Sequence, residues 1–299
     1  PALLMFAVGS FGIMLGTTVV YYFLRPVVGG EFAFGFAALS ASWMGGSANM
    51  MAVKEALSVP DAVFLPLVIV DTVVPYLWMG LLVAGSSGQD AFDRWSRAGT
   101  GVLDDLTRRI ETLKDKKIQA LNVVSAVGLI GLGIFISVLL LKVIPYFPTF
   151  GGTIAPFAWA IIMASLLGLA GSMTPLRRLE QSGSNKIGYF ILYFVLTTIG
   201  AKASIEHLSE SMILLGAGFA IVIIHGIILI LAARVLRVPV FLAAVASQAN
   251  VGGVASAPIV AEIYRPGMAA VGLLMAVLGN IMGTYLGLIV GKVCSLFGM

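Results

Sequence analysis

Asp71 sits in the run Leu67-Val-Ile-Val-Asp-Thr-Val-Val-Pro75, with no other charge between Asp61 and Asp90. A carboxylate at the centre of a membrane helix costs roughly 2.5–3.5 kcal/mol on insertion scales, so it normally faces a cavity and pairs with a cation or a proton. Thr72 beside it can add a hydroxyl oxygen. Two asparagines offer the next oxygens. Asn49 follows Gly45-Gly46-Ser47-Ala48, and Asn250 lies in Ser247-Gln248-Ala249-Asn250-Val251-Gly252-Gly253. Amide oxygens, with carbonyls released where a Gly pair unwinds a helix, suit a small hard cation. The expected Na⁺ or H⁺ site is therefore Asp71, Asn49 and Asn250, with Na⁺ as the candidate metal there. Ser47, Gln248 and Thr72 are further ligands, and Asn280 faces them from another span. Beyond each interruption a helix N-terminus turns N–H groups and a positive dipole end toward an anion. Gly45, Gly46, Gly252, Gly253 and Ser256 form that substrate side. The plainer alternative is that both asparagines only cap broken helix ends.

These residues need helices that cross lipid. The chain is 59% hydrophobic and 11% charged, whereas soluble domains carry about 25% charged residues. It reads as an all-α, polytopic transmembrane helical bundle. Apolar windows fall at about 1–24, 32–57, 62–84, 119–144, 153–171, 187–202, 211–233, 239–262 and 267–291. The second and eighth carry the Gly/Asn interruptions, which lipid tolerates only where they line a protein cavity. Paired interruptions of this kind point to a transporter binding site.

The two interrupted segments share a skeleton. Ala48-Asn49 aligns with Ala249-Asn250, Val53 with Val254 and Ala56 with Ala257. Aligning Tyr76-Leu77 with Tyr285-Leu286 sets Asp71 opposite Asn280. The organisation expected is an incomplete first repeat over 1–84, a hydrophilic linker over 85–118 and a second half over 119–299. The interruptions lie near 45–49 and 248–253. Windows four to six have no counterpart before the first, so a missing N-terminal portion is expected. Three windows between the copies make them parallel, whereas inverted repeats need an even number. Within the linker, Val102, Leu106, Ile110 and Leu113 recur at helical spacing and predict an amphipathic helix. Basic clusters at Arg25, 94–117, Arg177/Arg178/Lys186, Arg234/Arg237 and Lys292 alternate with loops poor in Lys and Arg, which places them on the cytoplasmic side.

Other polar residues invite less chemistry. His225, alone in its span, is expected to hydrogen-bond a neighbouring helix. Lys54 and Glu55 pair or reach the interface, Glu262 is solvated, and Cys294 is a small apolar helix residue. No phosphate-binding G-x-x-x-x-G-K-[ST], H-E-x-x-H or G-x-S-x-G occurs, so ATP-driven transport, intramembrane proteolysis and esterase chemistry have no support. The net charge of +4 belongs to span ends rather than to a nucleic-acid surface.

The segments Trp43-Met-Gly-Gly-Ser-Ala-Asn-Met-Met-Ala-Val, Val70-Asp-Thr-Val-Val-Pro-Tyr-Leu-Trp-Met, Thr198-Ile-Gly-Ala-Lys-Ala-Ser, Ser247-Gln-Ala-Asn-Val-Gly-Gly and Leu278-Gly-Asn-Ile-Met-Gly-Thr-Tyr-Leu-Gly resemble the DUF819 family of multi-pass membrane proteins. The resemblance covers essentially the whole chain. It implies membership of the cation/proton antiporter and anion transporter superfamily, which includes bile-acid/sodium symporter-like proteins. It further implies core and panel domains, inverted repeats, and two broken helices crossing in the core near Asn49 and Asn250.

The expected function is secondary active transport, with Na⁺- or H⁺-coupled symport of a small organic anion. The alternatives are a monovalent cation/proton antiporter and a non-transporting receptor or scaffold. No enzyme activity and no cofactor beyond the coupling ion is expected. The expected partners are the lipid bilayer, the solute or cation, and a second copy in a homodimer. The expected location is a bacterial cytoplasmic membrane.

Overall fold

The structure is a computed structural model that describes residues 1–99, 123–143, 156–176, 194 and 208–298. Every regular element among them is helical: α1 (Ala2–Val28), α2 (Phe32–Gly45), α3 (Ser47–Ala56), α4 (Asp61–Gly85), α5 (Gln89–Ser96), α6 (Val123–Val143), α7 (Pro156–Ser172), α8 (Leu208–Leu236), α9 (Val240–Val251), α10 (Gly253–Tyr264) and α11 (Ala269–Gly298). Five helical segments, including α1, α6, α8, α11 and the stretch from α4 through α5, are long and apolar enough to cross a membrane. The protein is thus an all-α polytopic bundle. The sixth expected window, near 187–202, and the Val102–Leu113 stripe lie outside the described residues.

Two expected spans are pairs of short helices. At 14 residues, α2 would reach only about 21 Å at 1.5 Å per residue, short of a hydrocarbon core about 30 Å thick. It does not continue across as the single broken span the sequence predicts: after Gly46 the chain turns back as α3, so Ala37 and Leu57 both lie at Gly291 of α11, and Ala41 and Val53 both lie at Gly287. In the same way α10 folds back along α9: the Val240 N–H bonds Asp93 and the Tyr264 hydroxyl donates to the Leu82 carbonyl, so both ends of this hairpin lie beside the junction of α4 and α5. Nearly every face of α2 is apolar, as are the first seven residues of α9, and such segments belong in the interior. Phe36, Leu39, Trp43 and Met44 are fully buried in α2, as are Phe241, Leu242 and Val245 in α9.

One apolar core forms around each interrupted helix. The first gathers α2 with Ile13 and Tyr21 of α1, Phe64 and Val70 of α4, and Ile221 of α8. The second gathers α9 with Met5 and Phe6 of α1, Val260 of α10, and Met275 of α11. Small residues allow the closest approach, as is common between membrane helices. A Cβ on Gly283 of α11 would come within 2.6 Å of Gly45 Cα.

Boundaries differ from the expected windows for local reasons. The first helix runs on to Val28 rather than 24. Pro26 lies in its last turn, and the Arg25 guanidinium donates to the Phe297 carbonyl. The expected linker opens with structure. A short 3₁₀ turn leads into α5, where the Asp93 carboxylate accepts the Val240 N–H at 2.7 Å and so caps α9. The amphipathic helix seen in this stretch is Gln89–Ser96.

Candidate functional site

The first interruption is set by Gly46. Its φ of +84° and ψ of 171° end α2, in the left-handed half of backbone space that only glycine enters cheaply. The Gly46 N–H still bonds the Ser42 carbonyl at 2.5 Å. The second interruption falls at Gly252 and Gly253, where Gly253 has φ +62°. Gly252 needs its missing side chain for room, because a Cβ would meet Ser256 Oγ at 2.0 Å and Gln248 Nε2 at 2.1 Å.

Asn49 fastens the first interruption to α11. Its Oδ1 accepts the Thr284 N–H at 2.9 Å and the Thr284 hydroxyl at 2.5 Å. Its Nδ2 donates to the Asn280 carbonyl at 3.3 Å and to the Gly45 carbonyl. The amide therefore bridges an i, i+4 pair of the facing helix, and all four of its hydrogen-bonding positions are filled. The Asn280 side chain is exposed, and its Oδ1 faces Gly46. Ser47 is half-buried at the same rim.

Asn250 fastens the second interruption to α1. Its Nδ2 donates to the Ala246 carbonyl at 2.9 Å and the Phe6 carbonyl at 3.3 Å, and its Oδ1 accepts the Ser10 hydroxyl at 2.8 Å. Gln248, fully buried, donates to Ser256 Oγ at 2.7 Å and reaches the Pro75 carbonyl at 3.4 Å. Its Oε1 has no donor. An orphan acceptor of this kind costs about 1–3 kcal/mol.

Helix α4 touches both interruptions. The Ser42 hydroxyl and the Trp43 indole, just ahead of the first, face the Asp71 carboxylate. The buried indole N–H has no hydrogen-bond partner among the described residues. One turn on, Pro75 meets Gln248, and the Trp78 indole donates to Ser247 Oγ at 2.8 Å, both just ahead of the second interruption. Proline has no N–H, so the Asp71 carbonyl lacks its helical donor. Asp71 thus offers carboxylate and carbonyl oxygens at one residue. Thr72 is exposed and bonds back to the Val68 carbonyl at 2.8 Å.

The structure therefore brings Asp71 to the approach of the first interruption, and brings Gln248, Ser256, Gly252 and Gly253 together at the second. Neither asparagine amide is bonded to Asp71. Sequence reasoning passed over Ser42, Trp43, Pro75 and Trp78. A signal existed for the first two, which are polar-bearing residues within one turn of Gly46. Pro75 four residues after Asp71 was a second.

His225 of α8 is fully buried and lies between α1 and α9. Its Nδ1 is 2.8 Å from the Gly9 carbonyl and its Nε2 is 3.0 Å from Ser247 Oγ, as expected of an interhelical hydrogen-bond partner. Lys54 pairs with Glu55 at 3.0 Å and with Asp61 at 3.2 Å. Glu262 accepts the Gly267 N–H, and Cys294 is buried. Among the described residues no cluster of His, Cys, Asp and Glu could hold a metal by itself.

The profile of a family described as "Protein of unknown function (DUF819)" matches residues 2–297. The chain is also similar to the "Uncharacterized membrane protein YjcL" of Bacillus subtilis (strain 168). The two are 23% identical over 320 residues, covering 99% of this chain and 76% of that protein. No solved structure matches.

Proposed function

The chain belongs to the DUF819 family, and from that premise we propose that it is a secondary active transporter coupling Na⁺ or H⁺ to the symport of a small organic anion. One arrangement carries the proposal. Helix α4 meets the residues ahead of both interruptions and holds Asp71 between apolar turns. Ionisable residues at such depth mark ion pathways, and paired discontinuous helices hold substrate sites in transporters.

Asp71 receives the coupling ion through its carboxylate and its undonated carbonyl. Gln248 Oε1 is the buried acceptor that a cation or a water at the second interruption would satisfy. Asn49 and Asn250 work beside the ion as clamps, holding open the backbone of each interruption. Asn280 and Ser47 line the first rim, where the anion meets N–H groups of α3. Gly253 and Ser256 present the equivalent surface at α10. Thr72 donates its hydroxyl hydrogen to its own helix and keeps its oxygen lone pairs for the ion.

Helices α1–α4 and α8–α11 are two copies of one unit. The two helical hairpins, each interrupted at its tip, form a core that rocks against a panel formed by the remaining spans, in a bacterial cytoplasmic membrane. The full-length protein in proteoliposomes tests the proposal. An imposed Na⁺ or proton gradient should drive uptake of a small labelled carboxylate, and Asp71→Asn should abolish it. Na⁺/H⁺ exchange without any carboxylate would make the protein an antiporter instead. Indifference to both gradients would leave the receptor or scaffold alternative.

A further inference from the structure

A cavity of about 380 Å³ lies between α4 and α8, with α9 as its floor. It runs from Trp78 and Ser247 at the deep end to Gly88 and Phe92 at the other. Trp78 and Gly88 are ten positions apart, seven along α4 and three in the 3₁₀ turn, about 16 Å in all. Leu81, Ile223, Ile227 and Ile230 line it and are also 60, 50, 51 and 44% exposed, so they form a mouth. These four residues belong to helices long and apolar enough to cross a membrane, so their exposed side chains suit a hydrocarbon surrounding. Gly226 allows the Trp78 ring to close the deep end, since a Cβ there would lie 2.9 Å from the ring.

The outer end is charged, and its sign is positive. Arg94 follows Phe92 in the last turn of α5 and Arg97 caps it, while Arg234 lies in the last turn of α8 and Arg237 just past its end. The Gly99 N–H bonds the Arg237 carbonyl at 3.3 Å, which joins the two groups. Arg234 lies over the Trp95 ring, 5.6 Å from its centroid. Among the described residues, the carboxylates facing them from these elements are Asp90 and Asp93, and Asp93 already caps α9. Trp95 is half-exposed beside Phe92, an arrangement suited to the headgroup level of a bilayer.

We propose that this groove binds one anionic phospholipid, with an acyl chain along α4 and α8 and its phosphate against Arg234 and Arg237. The long apolar channel matches a hydrocarbon tail, and the arginine cluster at one end matches a single anionic head. A second copy of the chain docked by this face would bring the same arginines against one another. Anionic lipid enriches beside such clusters at about 1 kcal/mol per basic residue, or about fivefold each. The site is independent of Asp71 and of whether the protein transports anything.

The test uses the full chain, delipidated in detergent and then exposed to mixed micelles of phosphatidylglycerol or phosphatidylcholine. Native mass spectrometry counts retained lipid, and the thermal midpoint reports stabilisation. One phosphatidylglycerol should survive, with a rise in midpoint that phosphatidylcholine does not give. Arg234→Gln and Arg237→Gln should each weaken retention about fivefold and leave the lipid-free midpoint unchanged. Ala243→Leu fills the groove and should abolish retention. Ile227→Trp blocks the mouth from an exposed position and should do the same if Ala243→Leu folds poorly. Equal retention of the two lipids, unchanged retention in the arginine variants, or a dimer that shields Ile227→Cys from a lipid-soluble maleimide would each overturn the proposal.

Discussion

Thr284 directs both of its donors, backbone N–H and hydroxyl, at the single oxygen Oδ1 of Asn49, at 2.9 and 2.5 Å. Thr284 and Asn49 are both buried, so no water can replace either bond without opening the bundle. Asn49→Ala strands two donors of Thr284 and two carbonyls. Each stranded group costs about 1–3 kcal/mol, and relaxation recovers part of it. The expected loss is about 2–4 kcal/mol of unfolding free energy in detergent. Thr284→Val removes only the hydroxyl and should lose about 1 kcal/mol. The double variant should lose less than the sum, because both changes break one contact. Strictly additive losses would show that the two side chains do not depend on each other.

Asp71 should separate function from folding. Its carboxylate faces Ser42 and Trp43, and an amide at the same place keeps the shape while removing the charge. Asp71→Asn should therefore unfold at the same midpoint or a higher one, since a charge inside a membrane is costly. Gradient-driven uptake should fall by at least about tenfold, which is about 1.4 kcal/mol of lost ion interaction. A variant that transports at the parental rate with the same cation dependence removes Asp71 from the mechanism.

Gln248 carries the orphan acceptor, so its variants should read out what occupies the second interruption. Gln248→Glu retains an oxygen near Oε1 and adds charge, whereas Gln248→Leu removes both oxygen and donor. If a cation binds there, Na⁺ should raise the thermal midpoint of the parent relative to choline at equal ionic strength, as a ligand of the native state must. Gln248→Leu should lose that increment, and Gln248→Glu should keep it. A midpoint shift identical in all three proteins would place the ion elsewhere.

The interruptions were legible because a Gly-Gly beside Asn in an apolar run has only a few physical uses. Gly46 holds a positive φ, and Asn49 and Asn250, expected as ion ligands or as caps, instead bond the neighbouring helices α11 and α1. Asp71 was legible for the same reason, since a lone carboxylate in an apolar window demands an explanation. The partners of these residues were not. Asn250 meets Ser10 across 240 positions of sequence, and that pairing depends on which faces of α1 and α9 pack. No spacing rule encodes such a choice. Helix α5 escaped because it is 8 residues long. Its apolar pair, Phe92 and Trp95, is too short a pattern to stand out among charges.

The backbone at Gly46 gives a prediction free of side-chain chemistry. Its φ of +84° with ψ 171° costs an L-residue roughly 1–3 kcal/mol, and space is not the obstacle, because the nearest atom to an added Cβ is Asn280 Oδ1 at 3.5 Å. Gly46→Ala should lose about that amount of stability. Gly283→Ala should lose more, because its Cβ would press on Gly45 Cα and the Ala41 carbonyl of α2. Unfolding midpoints of the two variants in one detergent would rank them, and a Gly46→Ala midpoint below that of Gly283→Ala contradicts the geometry.

The His225 cluster offers the last prediction. Ser247 Oγ accepts the Trp78 indole N–H, so its own hydrogen is available to His225 Nε2, and Nδ1–H then donates to the Gly9 carbonyl. One hydroxyl thus links α4, α8, α9 and, through the imidazole, α1. Trp78→Phe keeps the ring and removes the donor, and should lose about 1 kcal/mol. His225→Leu leaves the Ser247 hydrogen without an acceptor and should lose about 1–3 kcal/mol. Because both act through Ser247, each loss should shrink in a Ser247→Ala background. If Trp78→Phe and His225→Leu lose as much there as in the parent, Ser247 does not join them and the four helices are held by packing alone.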